Sequence, residues 1–522
     1  MNAGHPEQRG HQIRLAHCCP CGQSALTAGG GLTRRSFLGG LSGAALTGLA
    51  WPLLAAADAA EPAPAPTRRP LVVKPVFAYS TYTRQHQTSW RPWGGIQTQA
   101  DAEQELGRIG SELAALRARV DFPLELLPVS PVRSRDEVMG LGDLANADVL
   151  LVYASDGGSA LDALAETKKD VVFFIRHQSG PVYLWYEIIH PRYLRQHTDE
   201  PAIPAITYDD VVIDSYDEVV WRLRALCGLR NAMGTRILAV GGPSGWGPCG
   251  ADAPELSRDR WGFELHTVSY DELRPLVRAA LADEETMGRC RRRAGAYLQQ
   301  GGVSLETERS FVDNAFLLEE VFLGLMAKVG ATAFTINECM GTIMPVSDTT
   351  ACLTLTLLND SGYNAFCESD FVVIPSGILL AGISGRPVFL NDPTYPHDGI
   401  ITLAHCTAPR KLDGSTLEPA RIMTHFESDY GAAPKVEMRK GQRVTNILPD
   451  FKAERWVGVG GEILDHPFMP ICRSQIEVRL DADSRRVADM MPGFHWMTVY
   501  GDYLRETGYA LRRTKIAWEC LA

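Results

Sequence analysis

The 522-residue chain is short of the usual one-line signatures of function, and each absence removes a class of protein. No G-x-x-x-x-G-K-[ST] loop is present to cradle nucleotide phosphates, and no G-x-S-x-G turn to present a serine nucleophile. Positive charge is in deficit, 51 lysines and arginines against 62 acids, so the net charge of −11 opposes nucleic acid or an anionic membrane as a partner. The nine cysteines beyond residue 60 contain no C-x-x-C pair, which disfavours a structural zinc ribbon. Their odd number and wide spacing also argue against a disulfide framework. After residue 57 no run approaches the roughly 20 apolar residues that a membrane-spanning helix needs.

What is present reads as an ordinary multidomain globular chain, 45% hydrophobic and 22% charged. Residues 1–60 stand apart from the fold. Thr33-Arg34-Arg35-Ser36-Phe37-Leu38 opens a Gly/Ala/Leu-rich run to Ala57, and Ala55, Ala57 and Ala59 offer small-residue cleavage sites. The segment resembles a twin-arginine (Tat) signal peptide, which implies the twin-arginine export machinery as a partner and a periplasmic or extracytoplasmic location. An uncleaved anchor is the alternative, disfavoured by the glycines and Pro52 inside the run. Residues 61–70 (EPAPAPTRRP) read as a Pro/Ala linker.

From Leu71 onward, β-branched runs alternate with helical patterns. Strands are expected at 71–79, 124–129, 148–155 and 170–177, with helices at 100–119 and 158–168 between them. A second block repeats the grammar, with strands at 236–242, 263–269 and 333–337 and helices at 216–230, 270–300 and 308–328. Alternation of this kind predicts two successive Rossmann-like parallel-sheet domains, 71–205 and 206–345. After a helix near 348–359 come short strand-like stretches without intervening helices, among them PVFLND, GIITLAHC, ARIMTHF, KVEM and ERWVGVGGEIL. They predict a β-rich, barrel-like C-terminal domain over 346–522. The fold class is therefore α/β with a β-rich third part.

Candidate chemistry concentrates late in the chain. Glu338 ends an apolar run in Ile336-Asn337-Glu338, and Glu368 and Asp370 end another in Phe366-Cys367-Glu368-Ser369-Asp370. A carboxylate at a buried strand end must be paired, protonated or bound to a cation. Each acid alone is equally consistent with a salt bridge or a helix cap. Histidines 405, 425, 466 and 495 fall in the same third, and carboxylates with imidazoles suit Mn²⁺ better than Mg²⁺, Co²⁺ or Zn²⁺. Gly245-Trp246-Gly247-Pro248-Cys249-Gly250 formally matches a dinucleotide loop, yet Pro248 removes an amide donor and a Gly-rich loop at a sheet's carboxyl edge reads better. Trp90 and Trp93 follow the first strand, where a glycan-stacking loop and an interdomain packing loop are both open readings.

The run Ala331–Asp370, then SGRPVFLNDP, LAHCTAPRKLDG, THFESDYG, GEILDHPFMPICRSQIEVRL and finally Gly493-Phe494-His495-Trp496, resembles the L-fucose/L-arabinose isomerase-like superfamily, in the branch of fucose isomerase-like proteins. That resemblance implies a metal-dependent aldose–ketose isomerase acting on a small sugar through an enediol. It implies Glu338, Glu368 and His495 as ligands of Mn²⁺, with Glu338, Glu368 and Asp370 as catalytic acids and His405 as a further ligand or a support for one. It also implies a homo-oligomer, a trimer or hexamer. Cys367-Glu368-Ser369-Asp370 departs from the common C-E-G-D of that family, and Trp496 stands where a second histidine is frequent. A non-catalytic extracytoplasmic sugar-binding protein, and a metal-dependent epimerase or lyase on the same fold, are the alternative readings.

Overall fold

A computed structural model of the chain describes residues 66–91, 93–156, 158–183 and 206–522. The candidate export segment and the linker up to residue 65 lie outside the described residues. The first sheet contains β1 (Leu71–Ala78), β2 (Leu124–Leu126), β3 (Ser130–Val132), β4 (Val149–Ala154), β5 (Asp170–Ile175) and β6 (Val211–Ile213). All its pairings are parallel, in the order β2-β1-β4-β5-β6 with β3 also on β1. Every residue of β4 and all but the first of β5 are buried, as strands covered on both faces require.

The second sheet is also parallel and holds the functional edge. β7 (Arg236–Val240), β8 (Glu264–Val268), β10 (Ala333–Ile336) and β11 (Asn364–Cys367) lie in the order β11-β10-β7-β8. The sheet continues past residue 345, because β11 belongs to it although the short-strand region begins nearby in sequence. Helix Ile374–Ser384 then closes this layer, with nine of its eleven residues buried. Its apolarity on all sides matches a helix wedged between layers, and it packs on helix Tyr216–Ala232.

The C-terminal region is a closed antiparallel barrel of six strands: β12 (Phe389–Pro393), β13 (Ile400–His405), β16 (Arg443–Pro449), β17 (Arg455–Asp465), β18 (Ser474–Leu480) and β19 (Trp496–Tyr500). Around the barrel the order is β16-β19-β12-β13-β18-β17, and the β16–β17 pairing closes it. β20 (Ala517–Leu521) joins β17 in parallel. The ARIMTHF and KVEM stretches give β14 (Ala420–Met423) and β15 (Ala433–Val436), which pair with β9 (Val303–Leu305) in a separate three-stranded sheet rather than in the barrel. Among the described residues no helix is long and apolar enough to cross a membrane.

The helix-on-helix contact sets how closely helix Ile374–Ser384 approaches the helix that covers the first sheet. A side chain on Gly228 would meet the Ile383 backbone nitrogen at 2.7 Å, and one on Gly382 would meet the Gly228 carbonyl oxygen at 2.7 Å, so neither backbone tolerates a Cβ at the crossing. Gly228→Val is expected to destabilise the protein by about 1–3 kcal/mol through overpacking, read as a lower urea midpoint at unchanged slope. A midpoint equal to the parent's would show that the crossing is not tight.

Candidate metal centre

Parallel strands deliver their carboxyl ends to one edge, and the chain places acids at that edge of the second sheet. Ile336 of β10 is paired with Cys367 of β11, so Glu338 and Glu368 emerge next to each other after adjacent strands. Glu338, Glu368 and Ser369 all adopt positive φ, at 49°, 63° and 48°. Such left-handed backbone in non-glycine residues costs of order 1 kcal/mol each and persists where surrounding contacts over-determine it. The barrel supplies the opposite wall. β12 lies between β19 and β13, bringing Asp392, His405 and His495 to one barrel end.

Five side chains converge there. Glu368 lies 3.6 Å from His405 Nε2 through Oε1 and 3.4 Å from His495 Nε2 through Oε2. Asp392 Oδ1 is 3.1 Å from the same His495 Nε2. Asp370 is turned to the far side of the ring, accepting from or sharing a proton with His495 Nδ1 at 2.7 Å, while His405 Nδ1 meets the Thr407 hydroxyl at 2.9 Å. The remaining Asp370 oxygen accepts the amides of Trp246 and Val372, both at 3.0 Å. Both histidines and Asp370 are buried.

The electrostatics follow from burial and mutual charge. Burial alone would raise the Glu368 carboxyl, but cationic His495 and the close imidazole of His405 outweigh it and hold the group well below the ordinary carboxylate range. Burial would lower the imidazoles, yet the charge of Glu368, the Nδ1 hydrogen bond to Asp370 and the nearby Asp392 carboxylate push His495 far up. His405 is raised by its bond to Glu368 and the charges of Asp392 and Glu368. The two rings are thus the counter-charges of three acids.

The arrangement fits a divalent cation. His495 Nε2 and Asp392 Oδ1 lie 3.1 Å apart, yet neither makes a hydrogen bond of acceptable geometry. Two donors at about 2.1 Å from one ion and at right angles to each other sit about 3 Å apart, which is the spacing seen around Glu368, Asp392, His405 and His495. The opposite ring nitrogens are engaged, that of His495 by the Asp370 carboxylate and that of His405 by the Thr407 hydroxyl, which would fix which nitrogen faces an ion. Carboxylates with imidazoles suit Mn²⁺. Cys367 Sγ also lies in a group with Glu368 and His405 whose donor atoms are within 4.8 Å of one another, a thiol that Zn²⁺ would accept.

Of the residues singled out in the sequence, Glu368, Asp370, His405 and His495 come together, with Asp370 placed as a support of His495. Glu338 reaches the same edge, but its side chain is exposed and no ion pair among the described residues joins it to the cluster. Its backbone N–H is held by the Asn337 side chain and its carbonyl begins a π-helical turn. Trp90 and Trp93 remain on the loop after β1; Trp93 is 72% exposed, and among the described residues no ring contact or hydrogen bond links either to the cluster. Sequence reasoning missed Asp392, although it ends an apolar run much as Glu368 does. It also missed Trp246, whose ring stacks on Phe494 at 4.4 Å and meets His495 edge-on at 6.3 Å. The Gly245–Gly250 loop closes on itself and spends its Trp246 amide on Asp370. Comparison with family models and with curated proteins finds no match to the chain.

Asp370→Asn keeps the shape of the side chain but removes the charge behind His495. Metal affinity, measured by titration with Mn²⁺ followed calorimetrically, is expected to fall 10–100-fold, and unchanged affinity would deny Asp370 this role.

Proposed function

We propose that this protein is a metal-dependent aldose–ketose isomerase-like enzyme acting on a free sugar or sugar derivative. The observation that carries the reading is the buried convergence of Glu368, Asp392, His405 and His495, with His495 Nε2 and Asp392 Oδ1 at its centre, 3.1 Å apart and without hydrogen-bond geometry between them. The motif resemblance to the L-fucose/L-arabinose isomerase-like superfamily supplies the reaction class. Those four residues would hold the ion, and a bound Mn²⁺ supplies polarisation of a carbonyl and its neighbouring hydroxyl, acidifying the proton on the carbon between them.

The chain's own groups do the rest. Asp370 and Thr407 hold the two imidazoles so that each Nε2 faces the cluster. The Trp246–Phe494 stack gives the site an apolar wall beside His495, suited to the C–H face of a sugar. Glu338, exposed at the same sheet edge, is the acid available to take a proton from C2 and return it to C1 through an enediol, while the hydroxyl proton passes from O2 to O1. Glu368 is committed to the imidazoles and so is a holding group rather than the base.

The reading extends to location and assembly. The arginine pair at 34–35 and the Gly/Ala-rich run behind it support export through the twin-arginine route to the periplasm, and the resemblance supports a trimer or hexamer.

The deciding experiment is elemental analysis of protein purified without chelator, with Glu368→Ala and His495→Ala beside it, followed by a screen of aldoses and ketoses by NMR. Near-stoichiometric Mn or a similar ion, lost in both variants, with aldose–ketose exchange abolished by Glu338→Gln at retained metal, is the expected result. Metal retention without exchange on any sugar would replace isomerisation by epimerisation or elimination. A folded, metal-free protein that Mn²⁺ does not stabilise would leave a sugar-binding protein on this fold. If the ion binds only the native state, Mn²⁺ at 1,000 times its Kd should add about 4 kcal/mol of stability.

A further inference from the structure

The opposite edge of the second sheet carries a feature that the proposed reaction does not use. At the amino ends of β7, β8, β10 and β11, and at the C-terminal end of helix Ile374–Ser384, lies a cavity of about 610 Å³. Four guanidinium groups line it, those of Arg68, Arg69, Arg236 and Arg386, with one carboxylate, Glu264. Arg236 is paired with Glu264 at 2.7 Å. Among the described residues no carboxylate forms an ion pair with Arg68, Arg69 or Arg386.

Those three arginines are held in place by neutral acceptors instead. Arg68 Nη1 donates to the Gly382 carbonyl at 3.1 Å, Arg69 Nη2 to the Arg230 carbonyl at 3.0 Å, and Arg386 Nη1 to the Tyr500 carbonyl at 2.9 Å. Carbonyl contacts orient a guanidinium without neutralising it, and each group retains further N–H donors from its five. Arg68 is half-buried, and burial lowers its pKa by more than the nearby Asp121 carboxylate and other groups raise it. A partly desolvated cation gains most from an anion brought to it, and a planar fork binds the oxygens of phosphate or carboxylate in pairs. Gly385, at φ 68°, lies so near the Arg68 guanidinium that a Cβ would fall 2.4 Å from its Nη2, so the helix ends in a residue that leaves the arginine room.

We propose that this cavity is a binding site for a small multivalent oxyanion, one carrying at least two phosphoryl or carboxylate groups, engaged by Arg68, Arg69 and Arg386. The volume accommodates a metabolite-sized ligand, and three arginines with no carboxylate in ion-pair range among the described residues set its sign. The site is distinct from the metal centre: the strands between the two edges are four or five residues long, about 13–17 Å.

The test is isothermal titration of the full chain with inorganic pyrophosphate, with a sugar bisphosphate and with citrate, each at matched ionic strength against sodium chloride. Saturable binding of at least one, with affinity falling tenfold or more in Arg69→Ala and in Arg68→Ala and Arg386→Ala, is expected. The phosphate and carboxylate arms identify the source of the oxyanion. Arg69 is exposed, so Arg69→Ala leaves the fold intact and keeps the test decisive if Arg68→Ala fails to fold. Binding that survives Arg69→Ala and Arg386→Ala, or no saturable binding of any arm above chloride, overturns the proposal. Because the metal centre is elsewhere, Glu368→Ala should leave oxyanion affinity unchanged, and a loss there would also overturn it.

Discussion

The Asp370–His495 hydrogen bond is the contact on which the rest of the site depends. At 2.7 Å and buried, it joins the turn after β11 to the residue just before β19, so it links the parallel sheet to the barrel through one pair of atoms. Asp370 also takes the Trp246 amide from the loop after β7 and the Val372 amide from its own turn. Three separate parts of the chain are therefore referred to one carboxylate. A charge-assisted bond in such a dry setting is strong when made and costly when half-broken, which gives the junction a single preferred arrangement.

The local strain falls into place around that pair. Glu368 and Ser369 both sit in the left-handed region, immediately before Asp370, and a backbone parallel bridge between Ser244 and Asp370 pins the turn. A relaxed extended course after Cys367 would carry the acids along the strand axis. The left-handed pair instead folds the chain back at once, so that Glu368 faces the barrel while Asp370 reaches behind the imidazole. Strain is tolerated here because strand pairing on one side and helix Ile374–Ser384 on the other fix both ends of the turn.

How far the sequence spoke depended on whether the signal was local. The strand–helix alternation is written in hydrophobic periodicity, and the strands at 71–78, 149–154, 170–175, 236–240, 264–268 and 333–336 occur where their β-branched runs predict them. Glu368, Asp370, His405 and His495 were visible because each lies beside an apolar run or within a recognisable motif. Asp392 was not distinguished, because an acid at the end of PVFLND looks like any strand-ending turn until β12 is known to sit between β19 and β13. Strand β11 was likewise hidden: four residues, NAFC, carry too little periodicity to separate a parallel edge strand from the short strands that follow. The separation of β14 and β15 from the barrel is a matter of pairing at long range, which no local pattern records.

Charge balance carries the last step. Glu368, Asp370 and Asp392 bring three negative charges into a volume whose positive partners are two imidazoles. Without a cation, the rings must take up protons to keep the acids buried, and the raised His405 and His495 are that response. Protonated rings cannot lend an Nε2 lone pair, however, and the geometry of His495 Nε2 and Asp392 Oδ1 is wrong for the hydrogen bond that protonation would make useful. The pair is placed as two donors to a common point rather than as donor and acceptor. A divalent ion at this point would resolve both conflicts, because it would supply the charge the acids lack and accept the lone pairs the rings otherwise have to protonate. Under the proposed metal site, the burial, the spacing and the backing of each ring by Asp370 or Thr407 would then have one physical account.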